Sequence, residues 1–392
     1  MTTQLRDVAA FVGIGETPAV RKADKPLKAL VLDAITAALD DAGLTPADVD
    51  GLVTEGALMP SAMPHDEVAA TLGISQYFSG MSSYWGSGIA SAHLVGAQAI
   101  ACGQADVVVS YFGVDWGSTA GAAYTSIGEE NSPKVVYEKP FGYFGQPYFF
   151  GAIANRYRST YGVDLERAFG SLAINQRENA LRSGTAQMDR SMTYGQYLES
   201  PYVAEPLRIP DCCLLTDGAA AAVLVRSDRA KDLPKPPVYL KGASLATMPL
   251  SMDNYFTQNP DYLTWPTARP AVEQALAMAG RELDDLDFAE LYDCFTMTLL
   301  MQIEDIGWCS KGEAAAFVED GKRVALDGDI PINTHGGLLS HSYLLGATHV
   351  TEAIRQLRGD AGDVQVADAE LGLVGLLAGP HYGALVLGRD EG

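Results

Sequence analysis

"AITAALDDAGLTPADVDGLVTEG" (residues 34–56) lies without a gap over "AVEQALAMAGRELDDLDFAELYD" (271–293), and this overlay decides how the chain is organised. Ala34, Leu39, Ala42, Gly43, Asp48 and Asp50 match Ala271, Leu276, Ala279, Gly280, Asp285 and Asp287. Each copy reads as a helix, a short acidic connection and a strand. Self-similarity of this kind marks a duplicated chain built from two βαβ-rich halves.

Outward from the first copy, "MSSYWGSGIASAHLVGAQAIACGQADVVVSYFG" (81–113) reads as a strand, a tight glycine turn, a helix from about Gly88 to Cys102 and a Val-rich buried strand. The turn aims Trp85 out from a helix N-terminus. Such a terminus favours developing negative charge and lowers a thiol pKa, so the position suits a nucleophile, which an indole cannot be. In the second half "YLLGATHVTEAIRQLRGD" (343–360) likewise opens a small-residue helix after a glycine-containing turn. The first half is expected to span 1–235, ending where "AAAAVLVRSDRAKDLPKPP" (219–237) passes from a buried strand into a Lys/Pro connection, and the second 236–392. An inserted loop region over about 115–205, rich in Tyr, Phe and Gly, is longer than an ordinary connection and is expected to cover a pocket or an interface.

Composition sets the limits. The 392 residues are 47% hydrophobic and 19% charged, with 49 acidic against 27 basic side chains and a formal net charge of −22. With no Lys/Arg run, nucleic acid and anionic membranes are poor partners. No apolar stretch approaches the roughly 20 residues that span a bilayer, and the N-terminus lacks a charged leader and apolar run, so a cytoplasmic protein is expected. Five cysteines without a CxxC pair and six scattered histidines give no disulfide framework and no zinc signature, so no metal is expected.

The duplicated halves, the "WGSG" turn, "ELYDCFT" (290–296) and "NTHGGLLSHSYLLGATH" (333–349) resemble the thiolase superfamily, in particular its sterol-carrier, lipid-transfer-like branch. The resemblance implies an α/β, five-layer αβαβα fold with helix N-termini from both halves aimed at one site, in a dimer. Where that family carries its nucleophilic Cys this chain has Trp85. Tyr292 stands at the usual His before Asp293-Cys294-Phe295, Tyr343 stands in the second histidine turn, and His381 and Tyr382 occur where a second Cys is common. Thiolysis needs a thiolate and a base. Cys294 is the one thiol beside the motif, leaving a thiolase with a displaced Cys, or an inactive acyl-CoA or lipid-binding subunit, as alternatives.

Two protic residues at convergent positions suit retro-aldol cleavage of a β-hydroxyacyl-CoA, in which one group takes the hydroxyl proton and another protonates the acyl-CoA enolate. The pattern resembles the thiolase-like aldolases of bacterial steroid side-chain degradation, which implies Tyr292 as base and Tyr343 as proton donor, in that order or reversed, acting on a 17-hydroxysteroid with a three-carbon CoA side chain. Trp85, Cys294, Asn333, His335, His341, Gly346 and His381 are the expected substrate-binding or supporting positions. Coenzyme A enters only as part of the substrate, no separate cofactor being expected. Arg156, Arg158, Arg177, Arg182 and Lys139 lie in the insertion but are too dispersed for an obvious nucleotide site. The resemblance further implies a small OB-fold/zinc-ribbon partner around a homodimer core, giving a heterotetramer.

Overall fold

The computed structural model describes residues 5–56, 63–75, 78–82, 84–119, 134–250, 255–256, 259, 261 and 263–391. Among the described residues, nine strands form one mixed sheet: β1 (Ala9–Glu16), β2 (Gly51–Glu55), β3 (Phe78–Ser82), β4 (Val107–Asp115), β5 (Asp217–Arg226), β6 (Val238–Thr247), β7 (Phe288–Leu291), β8 (Leu371–Ala378) and β9 (His381–Gly388). Their order is β3-β2-β4-β5-β1-β6-β9-β8-β7. Only Ala10 with Tyr239 and Phe11 with Val238 join β1 to β6, so the sheet is two half-sheets meeting at a short seam. From that seam outward, β1-β5-β4-β2 and β6-β9-β8-β7 repeat the same directions: antiparallel, antiparallel, parallel. The counterpart of β3 shrinks to one parallel bridge between Ala289 and Ile332.

Helix α1 (Leu27–Ala42) packs outside the first half-sheet and α5 (Ala268–Ala279) outside the second. Between them, α2 (Trp85–Ala101) touches β2 and β4 on one side and β8 and β9 on the other. Its counterpart α7 (Ala347–Arg358) likewise touches β5 and β8. The result is the five-layer αβαβα stack. Strand periodicity divides the core accordingly: Ala10 and Val12 face α1, whereas Ala9 and Phe11 face the central helices.

The residues shared by the two copies hold equivalent backbone. Gly43 (φ 67°) and Gly280 (φ 66°) end α1 and α5 in the left-handed region, where a Cβ is disfavoured. The Asp50 carboxylate accepts from the N–H groups of Asp106 and Val107, and that of Asp287 from Glu370 and Leu371, clamping each half's βαβ crossover. Two sequence expectations need correction. Helix α2 starts at Trp85 rather than near Gly88, because the first turn closes directly behind the strained tryptophan. The insertion, expected as loop, is largely helical: α3 (Gln146–Tyr161) and α4 (Glu166–Ser183) bury Phe149, Phe150, Phe169 and Leu172, and α4 packs on the turn at 337–341. Its residues 120–133 lie outside the described residues.

Candidate active site

Strand β7 ends at Leu291, and the chain passes through Tyr292 before entering α6 (Thr296–Ile306). The Tyr292 N–H donates to the Gly375 carbonyl on β8 (2.9 Å), and its own carbonyl accepts from the Gln302 amide (2.7 Å). Gln302 in turn accepts from the Tyr382 hydroxyl (3.0 Å), so the backbone under Tyr292 is held from two sides. Tyr343 is fixed through its N–H, which donates to Thr216 Oγ1 (2.9 Å). From these separate anchors the two phenols converge, hydroxyl to hydroxyl at 3.0 Å.

Both rings are buried, at 5% and 9% exposure. Burial, the first cause in each case, pushes both hydroxyls well above the ordinary phenol range, so each is neutral near pH 7. A hydrogen-bonded pair of neutral phenols can accept one proton while releasing another. A static phenolate here would be strongly disfavoured.

Helix α2 approaches the pair through Gly86. A Cβ at that position would lie 2.5 Å from both the Leu377 carbonyl oxygen and Tyr292 Cε2, so the close approach requires glycine. Just before it, Trp85 has φ 54°, and Leu345, just before Gly346 at the start of α7, has φ 52°. The duplication has therefore kept a strained residue at both helix starts, a conformation uncommon outside glycine. The Trp85 N–H donates to Glu55 Oε1 (3.0 Å), and Glu55 is fully buried. The N-terminal dipole of α2, which would stabilise a thiolate, already faces a carboxylate. The nucleophile's backbone persists, while its charge environment has been taken and its side chain replaced by an indole that lines the cavity.

The cavity holds about 710 Å³ of atom-free space, part of it open to solvent. Its walls are mainly apolar: Trp85, Trp116, Phe150, Phe256, Phe295 and Leu377 surround the tyrosine pair. Trp116 packs on Tyr343 (centroids 4.6 Å) and Phe150 stacks on Phe295 (4.6 Å). Helix α3 supplies Phe150 and Gln146, so the insertion does cover a pocket. Sequence reasoning missed Trp116, Phe150, Cys213 and Phe295. The aromatic richness of the insertion was the one signal pointing towards Phe150.

Of the expected site residues, Tyr292, Tyr343, Trp85 and Cys294 meet at this cavity. Burial pushes the Cys294 thiol well up, so it is a protonated wall and a poor nucleophile. The others are placed differently. Asn333, in a left-handed conformation (φ 51°), clamps Leu291 by accepting from its N–H (2.6 Å) and donating to its carbonyl (2.8 Å). His341 bonds Ser342 and Thr185 through its two nitrogens, and burial pulls it down to about 3. His335 is pulled down to about 4 by burial and lies behind the site against Glu290. Gly346 caps α7, where a Cβ would meet Leu376 at 2.5 Å. His381 sits at β9's start, bonded to Thr247 and packed on Tyr84. Of the insertion's cations, Arg177 is committed to Ser340 and the Arg190 carbonyl, while Lys139, Arg156, Arg158 and Arg182 are exposed.

This fold and strained helix start define a thiolase-like protein. Residues 10–228 match the family described as "Thiolase, N-terminal domain" and 250–387 the family described as "Thiolase C-terminal domain-like", and the chain belongs to the thiolase family. Within it, the chain is 35% identical over 389 residues to a 17-hydroxy-3-oxo-4-pregnene-20-carboxyl-CoA lyase of Mycobacterium tuberculosis, covering 97% of this chain and 99% of the relative. It is 33% identical over 399 residues to a steroid side-chain-cleaving aldolase of Thermomonospora curvata, covering 99% of each. Among solved structures it is similar to an Ltp2-ChsH2(DUF35) aldolase, with TM-score 0.89, 32% identity and 99% of each chain covered.

Proposed function

We propose that this chain is a carbon–carbon lyase that cleaves a β-hydroxyacyl-CoA by retro-aldol chemistry, with a tertiary alcohol on a fused-ring steroid as substrate, releasing a 17-ketosteroid and propionyl-CoA. The observation that carries the proposal is the 3.0 Å contact between two buried phenols in an apolar cavity whose former nucleophile position is an indole. As the bond between the hydroxyl-bearing carbon and the carbon next to the thioester breaks, its electron pair passes into the thioester as an enolate. The alcohol proton goes to the nearer phenol oxygen, that phenol's own proton passes to its partner, and the partner's proton goes to the enolate carbon. No phenolate need persist, which suits two groups whose burial disfavours ionisation. Tyr292 is assigned to the alcohol and Tyr343 to the enolate.

The flat walls of Trp85, Trp116 and Phe150 offer contact area to a ring system. Tyr137, Phe141 and Tyr148 of the insertion are 73%, 87% and 47% exposed, an apolar surface suited to a partner chain. The similarity to an aldolase that contains a DUF35 chain supports a small OB-fold/zinc-ribbon partner there, in a heterotetramer around a homodimer core. Among the described residues no helix is long and apolar enough to cross a membrane. The test is incubation of the chain, with and without a DUF35-type partner, with a tertiary β-hydroxyacyl-CoA. Ketone and propionyl-CoA should appear in equal amounts. Turnover that requires free CoA and leaves an acyl group on sulfur would overturn the proposal.

A further inference from the structure

Behind the tyrosine pair, three buried side chains converge from segments distant in sequence. Glu290 lies on β7, two residues before Tyr292, while His335 and His349 flank the segment that carries Tyr343. One ligand atom from each lies within 4.8 Å of the others, and all three residues are at most 1% exposed.

The hydrogen bonds show which ligand atoms of the three are left over. His349 Nε2 lies 3.0 Å from the Leu291 carbonyl and 3.3 Å from Asp293 Oδ1. It must therefore donate, which leaves Nδ1 as the lone-pair nitrogen, buried and without a partner. Glu290 Oε1 accepts from the Thr334 N–H and hydroxyl (2.9 Å each), whereas Oε2 has no well-directed donor. His335 makes no well-directed hydrogen bond through either nitrogen, although Nδ1 stands 3.0 Å from Glu290 Oε2. Buried polar atoms are rarely left without partners, and these three neighbouring residues contribute four such atoms.

We propose that Glu290, His335 and His349 form a buried site for a borderline divalent transition metal, with Zn²⁺ the best fit. Two imidazoles and one carboxylate make a familiar N/O donor set for such ions. His349 already has the outer support a ligating histidine needs, its second nitrogen donating to a carbonyl and a carboxylate. With bonds of about 2.0–2.1 Å, tetrahedral ligand atoms stand roughly 3.4 Å apart, so the cluster closes by small side-chain rotations. The ion would pin the strand end leading to Tyr292 against both sides of the turn carrying Tyr343. Its role is positional, since the cluster does not line the catalytic cavity, and it stands independently of the lyase proposal.

The test is elemental analysis of untagged wild-type protein, both as purified without chelator and after refolding with Zn²⁺. The expected result is close to one ion per chain, falling at least tenfold in His335→Gln and remaining in Tyr292→Phe. Co²⁺-substituted wild type should show ligand-field bands without thiolate charge-transfer absorption, a reading that does not depend on the variants folding. Less than about a tenth of an ion per wild-type chain in both preparations, retention of the ion in folded His335→Gln, or a thiolate band would each overturn the proposal.

Discussion

Replacing Tyr343 by Phe removes one oxygen and leaves the ring in place, so its consequences for stability and for chemistry can be calculated apart. The hydroxyl lost is one partner of the 3.0 Å bond to Tyr292. A net intramolecular hydrogen bond is worth about 1 kcal/mol, and here the remaining Tyr292 hydroxyl faces a cavity that water can enter. The stability change should therefore not exceed about 1 kcal/mol. Chemistry should suffer far more: a positioned acid or base contributes about 10²–10⁴-fold, or roughly 2.7–5.4 kcal/mol of barrier. If one proton path runs through both phenols, Tyr292→Phe should cost the same, and the double variant should be no worse than either single one. Independent roles would instead multiply to roughly 10⁴–10⁸. The assay is propionyl-CoA release from a tertiary β-hydroxyacyl-CoA, beside thermal unfolding of each variant. Tyr343→Phe within threefold of wild type would refute the catalytic assignment, and multiplicative losses would refute the shared path.

Gly86→Ala places a methyl 2.5 Å from Tyr292 Cε2 and from the Leu377 carbonyl oxygen, so it should displace the Tyr292 ring and lower kcat about 100-fold at a stability cost of roughly 1–3 kcal/mol. Unchanged kcat would mean the ring position is not critical. Trp85→Cys should not restore thiolase activity, because the Glu55 side chain already takes the Trp85 N–H at the α2 terminus that would otherwise steady a thiolate. Iodoacetamide labelling at pH 7 faster than that of free cysteine would contradict this. Burial holds His93 at about 4, against about 6.5 unfolded, so through this group the unfolded chain binds more protons below pH 6.5 and stability falls with acid, whereas Glu290 and Asp211, pushed up to about 7 by burial, act in the opposite sense. This one group should cost about 2 kcal/mol between pH 8 and pH 5, read from urea midpoints. Relative to wild type, His93→Gln should remove this contribution, and the same pH dependence in both proteins would show that His93 does not supply it.

How much of this was legible before the structure depends on whether a residue acts through its backbone or through the direction of its side chain. The duplicated identities were readable because Gly43, Gly280, Asp50 and Asp287 each meet a local demand, a left-handed stop or a carboxylate clamp, that leaves a fixed spacing. Tyr292 and Tyr343 were readable as changes at recognisable motif positions. Direction was not. Asn333, His335 and His341 looked like site groups because they crowd a glycine-rich turn beside Tyr343. Yet Asn333, Gly336 and Gly337 all take positive φ, wrapping that turn round Asp293 so that Leu338 donates to its carboxylate (2.7 Å). The turn presents its backbone to Asp293 and sends its histidines behind the cavity. The walls were hidden for another reason: Trp116, Phe150, Phe295 and Leu377 come from four distant segments, each indistinguishable from core. In the overlay of the halves, Tyr292 falls on Glu55. One copy uses that place to set a carboxylate against the α2 terminus, and the other to set a phenol in the cavity. The chemistry is therefore asymmetric at the position where two copies of one supersecondary unit diverged, and comparison of the halves marks it in a way that neither half does alone.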